Sequence, residues 1–275
     1  AMSTALTRSV AILGGGNLGV ALARGWVRAG RFTADQVRIT RRQASRLAPL
    51  AAEGYAVGTS SAEAVQAADL VVIAVQPQQL DALFAEIAPH IDAARHRVIS
   101  VVSGASIADI RGALGPHVDV VRAMPNTAVV IGESMTCLAG DERPDGALDE
   151  ARVLFDLVGR TLVIGEEMIV PATALCACGI AFFLRVIRAA MQGGIEIGFH
   201  PEDAALLAAQ TARGAAALSL QEGAHPEREI DRVTTPRGCT IAGLNEMEHQ
   251  GLSSAMIKGI TVSARAAAGL YAKDA

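Results

Sequence analysis

Residues Gly14–Gly19 read G-G-G-N-L-G and give the spacing G-x-G-x-x-G through Gly14, Gly16 and Gly19. Such a run suits a pyrophosphate. Gly14 permits the tight turn, Gly16 lets the backbone come close to the anion, and Gly19 allows close helix–strand packing. The N–H groups at the following helix start, around Asn17 and Leu18, face the negative charge. The context fits, with the apolar run V-A-I-L (Val10–Leu13) before the glycines, a helical pattern after them, and a second strand roughly 20 residues further on. That strand ends in T-R-R, with Arg41 and Arg42 where a carboxylate would bind a ribose 2′-hydroxyl. A carboxylate repels a 2′-phosphate, whereas guanidinium groups hold it through paired, charge-assisted hydrogen bonds. The expected cofactor is therefore NADPH; NADH is possible but less favoured.

Other reactive side chains are sparse. The four cysteines, Cys137, Cys176, Cys178 and Cys239, fit no zinc spacing, because C-x-C alone supplies two ligands and no C-x-x-C or histidine pair completes a tetrahedron. They are too few for a disulfide framework in a chain of 275 residues, so reduced thiols and a cytoplasmic location are expected, with no metal. Lysine occurs only at Lys258 and Lys273. His200 precedes a helix, His225 sits before Pro226 in a polar loop, and His249 lies among charged helix-end residues, so none is placed as half of an acid–base pair.

Short β-rich runs alternating with helical stretches must position these residues. The strand candidates are Val10–Leu13, Val37–Thr40, Leu70–Val75, Arg97–Val102 and Val118–Ala123, with weaker ones at Ser134–Ala139 and Thr161–Ile164. Several are continuously apolar, as strands covered on both faces of a parallel sheet require. Helices are expected between them, for example over Leu18–Ala29 and Gln78–Ala88. The alternation predicts an α/β fold with an N-terminal doubly wound Rossmann domain over residues 1–165. Beyond Gly165 the strands stop. Residues 166–275 read as a C-terminal all-helical dimerisation and substrate domain, with Pro201 opening one helix and Ser253 or Ser254 capping a last helix that runs to about Tyr271.

Composition narrows the classes further. A hydrophobic share of 51% against 19% charged is globular, and a net charge of −4 argues against a nucleic-acid surface. The opening A-M-S-T-A-L-T-R-S lacks a long apolar core, so no secretory signal is expected. Met168–Leu184 carries no charge, yet Pro171 and Gly179 interrupt it and Arg185 and Arg188 follow at once. It suits a buried helix or dimer interface better than a membrane span.

Two dehydrogenase types with this layout fit poorly. The β-hydroxyacid dehydrogenases depend on a lysine in the helical part, but Lys258 lies in the final helix without a matching motif; the lactate and malate type needs a His–Asp pair. Four motifs point elsewhere: V-V-R-A-M-P-N-T (Val120–Thr127), A-V-Q-P-Q (Ala74–Gln78), L-A-A-Q-T-A-R-G-A-A (Leu207–Ala216) and V-T-T-P-R-G-C-T-I-A-G-L (Val233–Leu244). In this order, over nearly the whole chain, they closely resemble the pyrroline-5-carboxylate reductase family.

The resemblance implies hydride transfer from NADPH to the C=N carbon of 1-pyrroline-5-carboxylate, giving L-proline, in a homodimer often built into a larger ring. A protonated imine is already electrophilic, so such a site mainly positions the two rings. By the same resemblance, Ala74, Val75, Gln76, Pro77, Met124 and Asn126 line the cofactor. Gly238, Cys239 and Thr240 would offer N–H groups and a hydroxyl to the substrate, with Thr240 on the ring-nitrogen side. Cys176, Cys178 and Gly179 would face the substrate.

The departures cluster in the substrate half. The family pattern Thr-Ala-Leu-Ser-Gly-Ser-Gly-Pro-Ala-Tyr is here Thr-Ala-Leu-Cys176-Ala177-Cys178-Gly179-Ile180-Ala181-Phe182, and Ser-Pro-Gly-Gly-Thr-Thr is Thr235-Pro236-Arg237-Gly238-Cys239-Thr240. The family lysine of Ala-Val-Lys-Pro is Gln76, the proline after Met-Pro-Asn-Thr is Ala128, an aspartate before the Thr-Ala-Leu run is Pro171, and an acid in the next helix is Arg188. Three alternatives stay open: a proline-forming enzyme with a variant pocket, a reductase of another cyclic imine with Arg237 and Arg188 as extra anion contacts, and a dinucleotide-binding protein with little activity.

Overall fold

The computed structural model describes residues 9–143 and 146–269. The opening segment read for a signal, Tyr271 at the expected end of the last helix, and Lys273 lie outside the described residues. In chain order the first part runs β1 (Val10–Leu13), α1 (Asn17–Arg28), β2 (Val37–Thr40), α2 (Ala48–Ala52), β3 (Ala56–Gly58), α3 (Ser61–Gln66), β4 (Leu70–Ile73), α4 (Leu80–Ile87), β5 (Arg97–Ser100), α5 (Ile107–Leu114), β6 (Asp119–Met124), β7 (Ser134–Gly140), α6 (Ala147–Asp156) and β8 (Gly159–Val163). The strands form one eight-stranded sheet in the order β3-β2-β1-β4-β5-β6-β7-β8, parallel except where β7 runs antiparallel to β6.

The period-2 alternation of the strands makes the two faces. Val10 and Ile12 of β1 join one apolar cluster while Ala11 and Leu13 join the other; Leu70 and Val72 of β4 divide from Val71 and Ile73 in the same way. Helices α1, α2 and α6 cover the first face and α3, α4 and α5 the second. Trp26 anchors the first face. It is fully buried, donates its indole N–H to the Leu154 carbonyl at 2.9 Å, and meets Phe32 and Phe155 edge-on.

The sheet differs from the sequence expectation in detail. β4 and β5 stop at Ile73 and Ser100, two residues early, because the chain turns away at the sheet's carboxyl edge. β3 was not expected; three residues ending in glycine carry too little pattern to register. Gly159, at φ 155, could not carry a side chain, since a Cβ would lie 1.9 Å from the Ser134 carbonyl oxygen.

After β8 the chain is helical: α7 (Ile169–Ala172), a wide π-helical segment (Thr173–Cys178), α8 (Gly179–Glu196), α9 (Pro201–Ser219), α10 (Pro226–Val233), α11 (Cys239–His249) and α12 (Leu252–Ala268). Contacts group Gly179–Val262 as one unit and the described residues before and after it as another. Pro201 takes the first helical position of α9, as expected. Ser253 and Ser254 do not cap α12. Gly251, at φ 81, ends α11 and its carbonyl starts α12, so both serines fall inside the first turn and Ser253 reaches back to Glu248 at 2.7 Å.

The uncharged run Met168–Leu184 is buried in part: Ile169, Ala172, Thr173, Ala174 and Gly179 are covered in the single chain, while Met168, Leu175, Phe183 and Leu184 are exposed. Across residues 179–262 only Gly179 and Ala204 are buried, while Phe183, Leu184, Leu206, Leu220 and Ile257 are exposed. Glu166–Glu196 is, among the described residues, one helical stretch long and apolar enough to cross a membrane by length and composition. Pro171, the wide turn, Arg185 and Arg188 all fall within it.

Candidate active site

The strand order reverses between β1 and β4, and the carboxyl ends of these two strands open a crevice. Two of the motifs meet there. Gly14, at φ 121, turns so close to the other chain segment that a Cβ would lie 2.4 Å from the Ala74 carbonyl oxygen. Gly19 packs its helix onto the loop, where a Cβ would come within 2.2 Å of the Gly14 carbonyl. Gly16 differs, because nothing lies within 4 Å of where its Cβ would be. Gly16 is also the residue before α1, and no side chain caps that helix, so the first-turn N–H groups at Asn17, Leu18 and Gly19 have no side-chain acceptor. A closed turn, a close-packed helix and an open, uncapped helix start fit a dinucleotide pyrophosphate.

The T-R-R segment joins the same loop. The Gly14 and Gly15 N–H groups both donate to the Thr40 carbonyl, at 3.2 and 2.7 Å. Arg41 is half-buried and donates from Nη1 to the Gly15 carbonyl at 2.7 Å, while its own N–H donates to Gly58 of β3. Arg42 is exposed. The two arginines are therefore not equivalent: Arg41 braces the glycine loop, and Arg42 is exposed. On the far wall Ala74 packs against one core cluster and Val75 against the other, and Gln76 leads in extended backbone to Pro77, which opens a short helical turn.

The end of β6 forms a second assembly. Met124 is buried beside Cys137, Ala139, Ile169 and Ala172. Asn126 has its side-chain oxygen accepting from the Ala128 N–H at 3.0 Å, its amide nitrogen donating to the Cys176 carbonyl at 3.3 Å, and its backbone N–H donating to Ser134 Oγ at 3.1 Å. A π-helical turn displaces its carbonyls from the ordinary i+4 donors; Asn126 supplies the Cys176 carbonyl with one. Neither the wide turn nor the Ser134 contact was foreseen, since both depend on chain segments far apart in sequence. Also unforeseen is Glu166, whose Oε1 accepts from Ile107 N–H at 2.6 Å and from the buried Arg122 at 3.2 Å.

The sulfurs of Cys137 and Cys176 lie 3.8 Å apart. Either thiol can donate in this contact; donation from Cys137 to the Cys176 thiolate holds Cys176 down at about 7, while the bond and burial push Cys137 up. Cys178 is half-buried.

Gly238, Cys239 and Thr240 lie in the helical unit. Gly238 precedes α11, no side chain caps that helix, and Thr240 is half-buried in its first turn. A Cβ on Gly238 would strike Thr235 Oγ1 at 2.4 Å. Arg237, just before, has φ 61, the one positive value among described residues other than glycine. The crevice and the Asn126–Cys176 assembly belong to one unit, and the uncapped start of α11 belongs to the other. Among the described residues no cluster of three metal-ligating side chains occurs.

Comparison with known proteins matches these parts. Residues 166–270 match the family model described as pyrroline-5-carboxylate reductase dimerisation, and residues 9–104 match one described as NADP oxidoreductase, coenzyme F420-dependent. Pyrroline-5-carboxylate reductase 2 of Dictyostelium discoideum is 47% identical over 273 residues, covering 94% of this chain and 91% of its own. The chain belongs to the pyrroline-5-carboxylate reductase family. Pyrroline-5-carboxylate reductase 1 of the same organism is 55% identical, over 95% of this chain but 50% of its own length, so this chain spans about half of that relative. The Mycobacterium tuberculosis (strain H37Rv) member of the family is 36% identical over 90% of this chain and 91% of its own. Among solved structures, the Coxiella burnetii pyrroline-5-carboxylate reductase superposes with a TM-score of 0.86 at 26% identity, covering 97% of this chain and all of that one. The Plasmodium falciparum enzyme, solved with NADP bound, shares the fold at 20% identity and a TM-score of 0.86, over 96% of this chain and 98% of that one.

Proposed function

We propose that this protein reduces the C=N bond of 1-pyrroline-5-carboxylate to L-proline with NADPH, in the cytoplasm, as a homodimer. The observation that carries the cofactor half is the open, uncapped start of α1 beside Arg41 and the exposed Arg42. Family membership over nearly the whole chain carries the reaction. The functional division is a dinucleotide-binding domain over residues 1–165 and a helical dimerisation and substrate domain over residues 166–275.

When bound, NADPH supplies a hydride. The chain's residues do the rest by placement. The first-turn N–H groups of α1 hold the pyrophosphate and Arg42 takes the 2′-phosphate, while Ala74–Pro77, Met124 and Asn126 line the nicotinamide end. The uncapped N–H groups after Gly238 receive the substrate carboxylate, and the Thr240 hydroxyl oxygen accepts from the N–H of the protonated imine. Cys176, Cys178, Gly179 and Cys239 complete the substrate wall. No buried acid is required, because the protonated imine needs only a hydride at carbon. The exposed apolar side chains of α8, α9 and α12 provide the face on which a second copy packs, and larger rings would assemble from such dimers.

A second reading, reduction of a different cyclic imine, draws on Arg237. Its left-handed backbone is the conformation glycine adopts easily, yet a guanidinium stands there beside the α11 start. The third, cofactor binding without turnover, draws on the two cysteines in place of serines. Steady-state turnover of pyrroline-5-carboxylate with NADPH separates them. Normal turnover supports the first, turnover only of six-membered or substituted imines the second, and NADPH binding with no imine reduced the third.

A further inference from the structure

Cys137 and Cys176 come from distant parts of the sequence and meet sulfur to sulfur. Cys137 sits on β7, opposite Met124 in the β6–β7 register, buried in a small apolar cluster. Cys176 is on the π-helical turn, half-buried, with its backbone carbonyl held by Asn126. Its backbone position is therefore held by that bond, and its side chain packs against the small apolar cluster. At 3.8 Å the two sulfurs need to close by less than about 2 Å to reach disulfide length. Cys178 and the exposed Cys239 have no sulfur contact of this kind among the described residues.

We propose that Cys137 and Cys176 form a reversible peroxide-responsive thiol pair, with Cys176 the attacked residue and Cys137 the resolving one. The oxidant is a hydroperoxide, with hydrogen peroxide the simplest. The Cys176 thiolate attacks one peroxide oxygen; the S–O bond forms, the O–O bond breaks, and hydroxide leaves and takes up the proton that Cys176 had released. Cys137 then attacks the sulfenic sulfur. The S–S bond forms, the S–O bond breaks, and the hydroxyl leaves as water with the Cys137 proton. Two thiols lose two electrons and one peroxide becomes two waters; a dithiol reductant reverses the step.

The assignment of roles follows from the surroundings. Cys176 is partly open to a small oxidant, and its thiolate can accept the S–H of Cys137 at 3.8 Å. Cys137 is buried and holds its proton until a sulfenic sulfur lies beside it. Cys176 also stands on the proposed substrate wall, but the thiol chemistry uses neither NADPH nor the C=N bond, so the inference does not depend on which imine is reduced. The disulfide would tie the wide turn to β7 next to Asn126.

The test uses the full chain in its native oligomer, with Cys178→Ala to leave one cysteine on the peptide. Reduced protein is treated with a modest excess of hydrogen peroxide, alkylated, and mapped by non-reducing mass spectrometry. The expected result is a Cys137–Cys176 cross-linked peptide that disappears with dithiothreitol, with Cys239 still alkylated. In Cys137→Ala, a dimedone adduct should appear at Cys176 and be absent from the parent. Recovery of both cysteines as alkylated thiols, or of Cys176 as sulfinic acid beside a free Cys137, overturns the proposal. The cross-link measurement in the parent chain stands even if Cys137→Ala fails to fold.

Discussion

The Arg41 guanidinium donates to the Gly15 carbonyl at 2.7 Å, so the residue at the end of β2 holds the glycine loop. Its neighbour Arg42 is exposed and makes no such brace. Charge alone would treat the two as interchangeable; the geometry gives Arg41 the loop contact and leaves Arg42 exposed. Arg42→Ala should therefore raise the KM for NADPH by ~10–100-fold, the loss of a charge-assisted bond of about 1.5–3 kcal/mol, and leave NADH nearly unchanged. Adding Arg41→Ala should weaken both cofactors while keeping the larger loss on NADPH. Equal losses for both from Arg42→Ala alone would remove its phosphate role.

Gly19→Ala should cost about 1–3 kcal/mol of stability as overpacking. The added Cβ meets a backbone oxygen at 2.2 Å rather than a flexible side-chain tip, so the loop must shift and cofactor affinity should fall as well. Thermal unfolding with and without NADPH checks this, and an unchanged ligand-induced shift in Tm would contradict it.

Asn126→Ala should leave the Ala128 N–H and the Cys176 carbonyl without their partners, at about 1–3 kcal/mol for a buried group left unpaired. Asn126→Asp keeps the turn acceptor but places a carboxylate against the Cys176 carbonyl, and should fare no better. Chemical denaturation gives the stability loss. Hydrogen exchange at Thr173–Cys178 should rise in both variants; unchanged protection there would mean that the wide turn does not need Asn126.

The thiol pair makes stability depend on pH in a definite direction. Cys176 falls from 9.0 to about 7 in the folded chain because Cys137 donates to its thiolate. A depressed group contributes stability that is fully present above its unfolded value and is lost as pH falls through the folded one. The contribution should thus grow between about pH 7 and 9, while Cys137, pushed the other way, keeps its proton across that window. The rate of Cys176 alkylation by iodoacetamide should rise with a midpoint near 7 and move upward in Cys137→Ala. A midpoint that ignores Cys137 would show that the hydrogen bond does not set it.

Leu206→Glu together with Ile257→Glu should give a monomer by sedimentation at concentrations where the parent is dimeric, with a lower Tm. Both side chains are large, apolar and exposed in the single chain. A double variant that remains dimeric would place the contact on another face.

Much of the architecture was legible because its signals are local and strong. The β1–glycine–α1 sequence reads directly from V-A-I-L, the glycine spacing and the helix behind it, and the two-sided apolar strands report a covered sheet. What escaped depends on contacts between distant segments. The wide turn at Thr173–Cys178 looks like ordinary helix in sequence, and Asn126, fifty residues away, supplies a donor to its Cys176 carbonyl. The Cys137–Cys176 contact arises because β7 reverses direction, which no pattern within β7 reveals. The start of α12 was misplaced because serines signal caps, whereas Gly251 already supplied the turn. Thr240 and Gly238 were named as site candidates through family likeness, since an uncapped helix start leaves no mark of its own in composition.

The helical unit, with only Gly179 and Ala204 buried between residues 179 and 262, carries a consequence for measurement. A folded unit with so small an interior draws its stability from association, so the law of mass action enters its melting curve. Dilution then acts as a denaturant. Activity lost at nanomolar enzyme would report dissociation rather than damage to the chemistry, and a Tm quoted for this chain has meaning only beside the protein concentration at which it was taken.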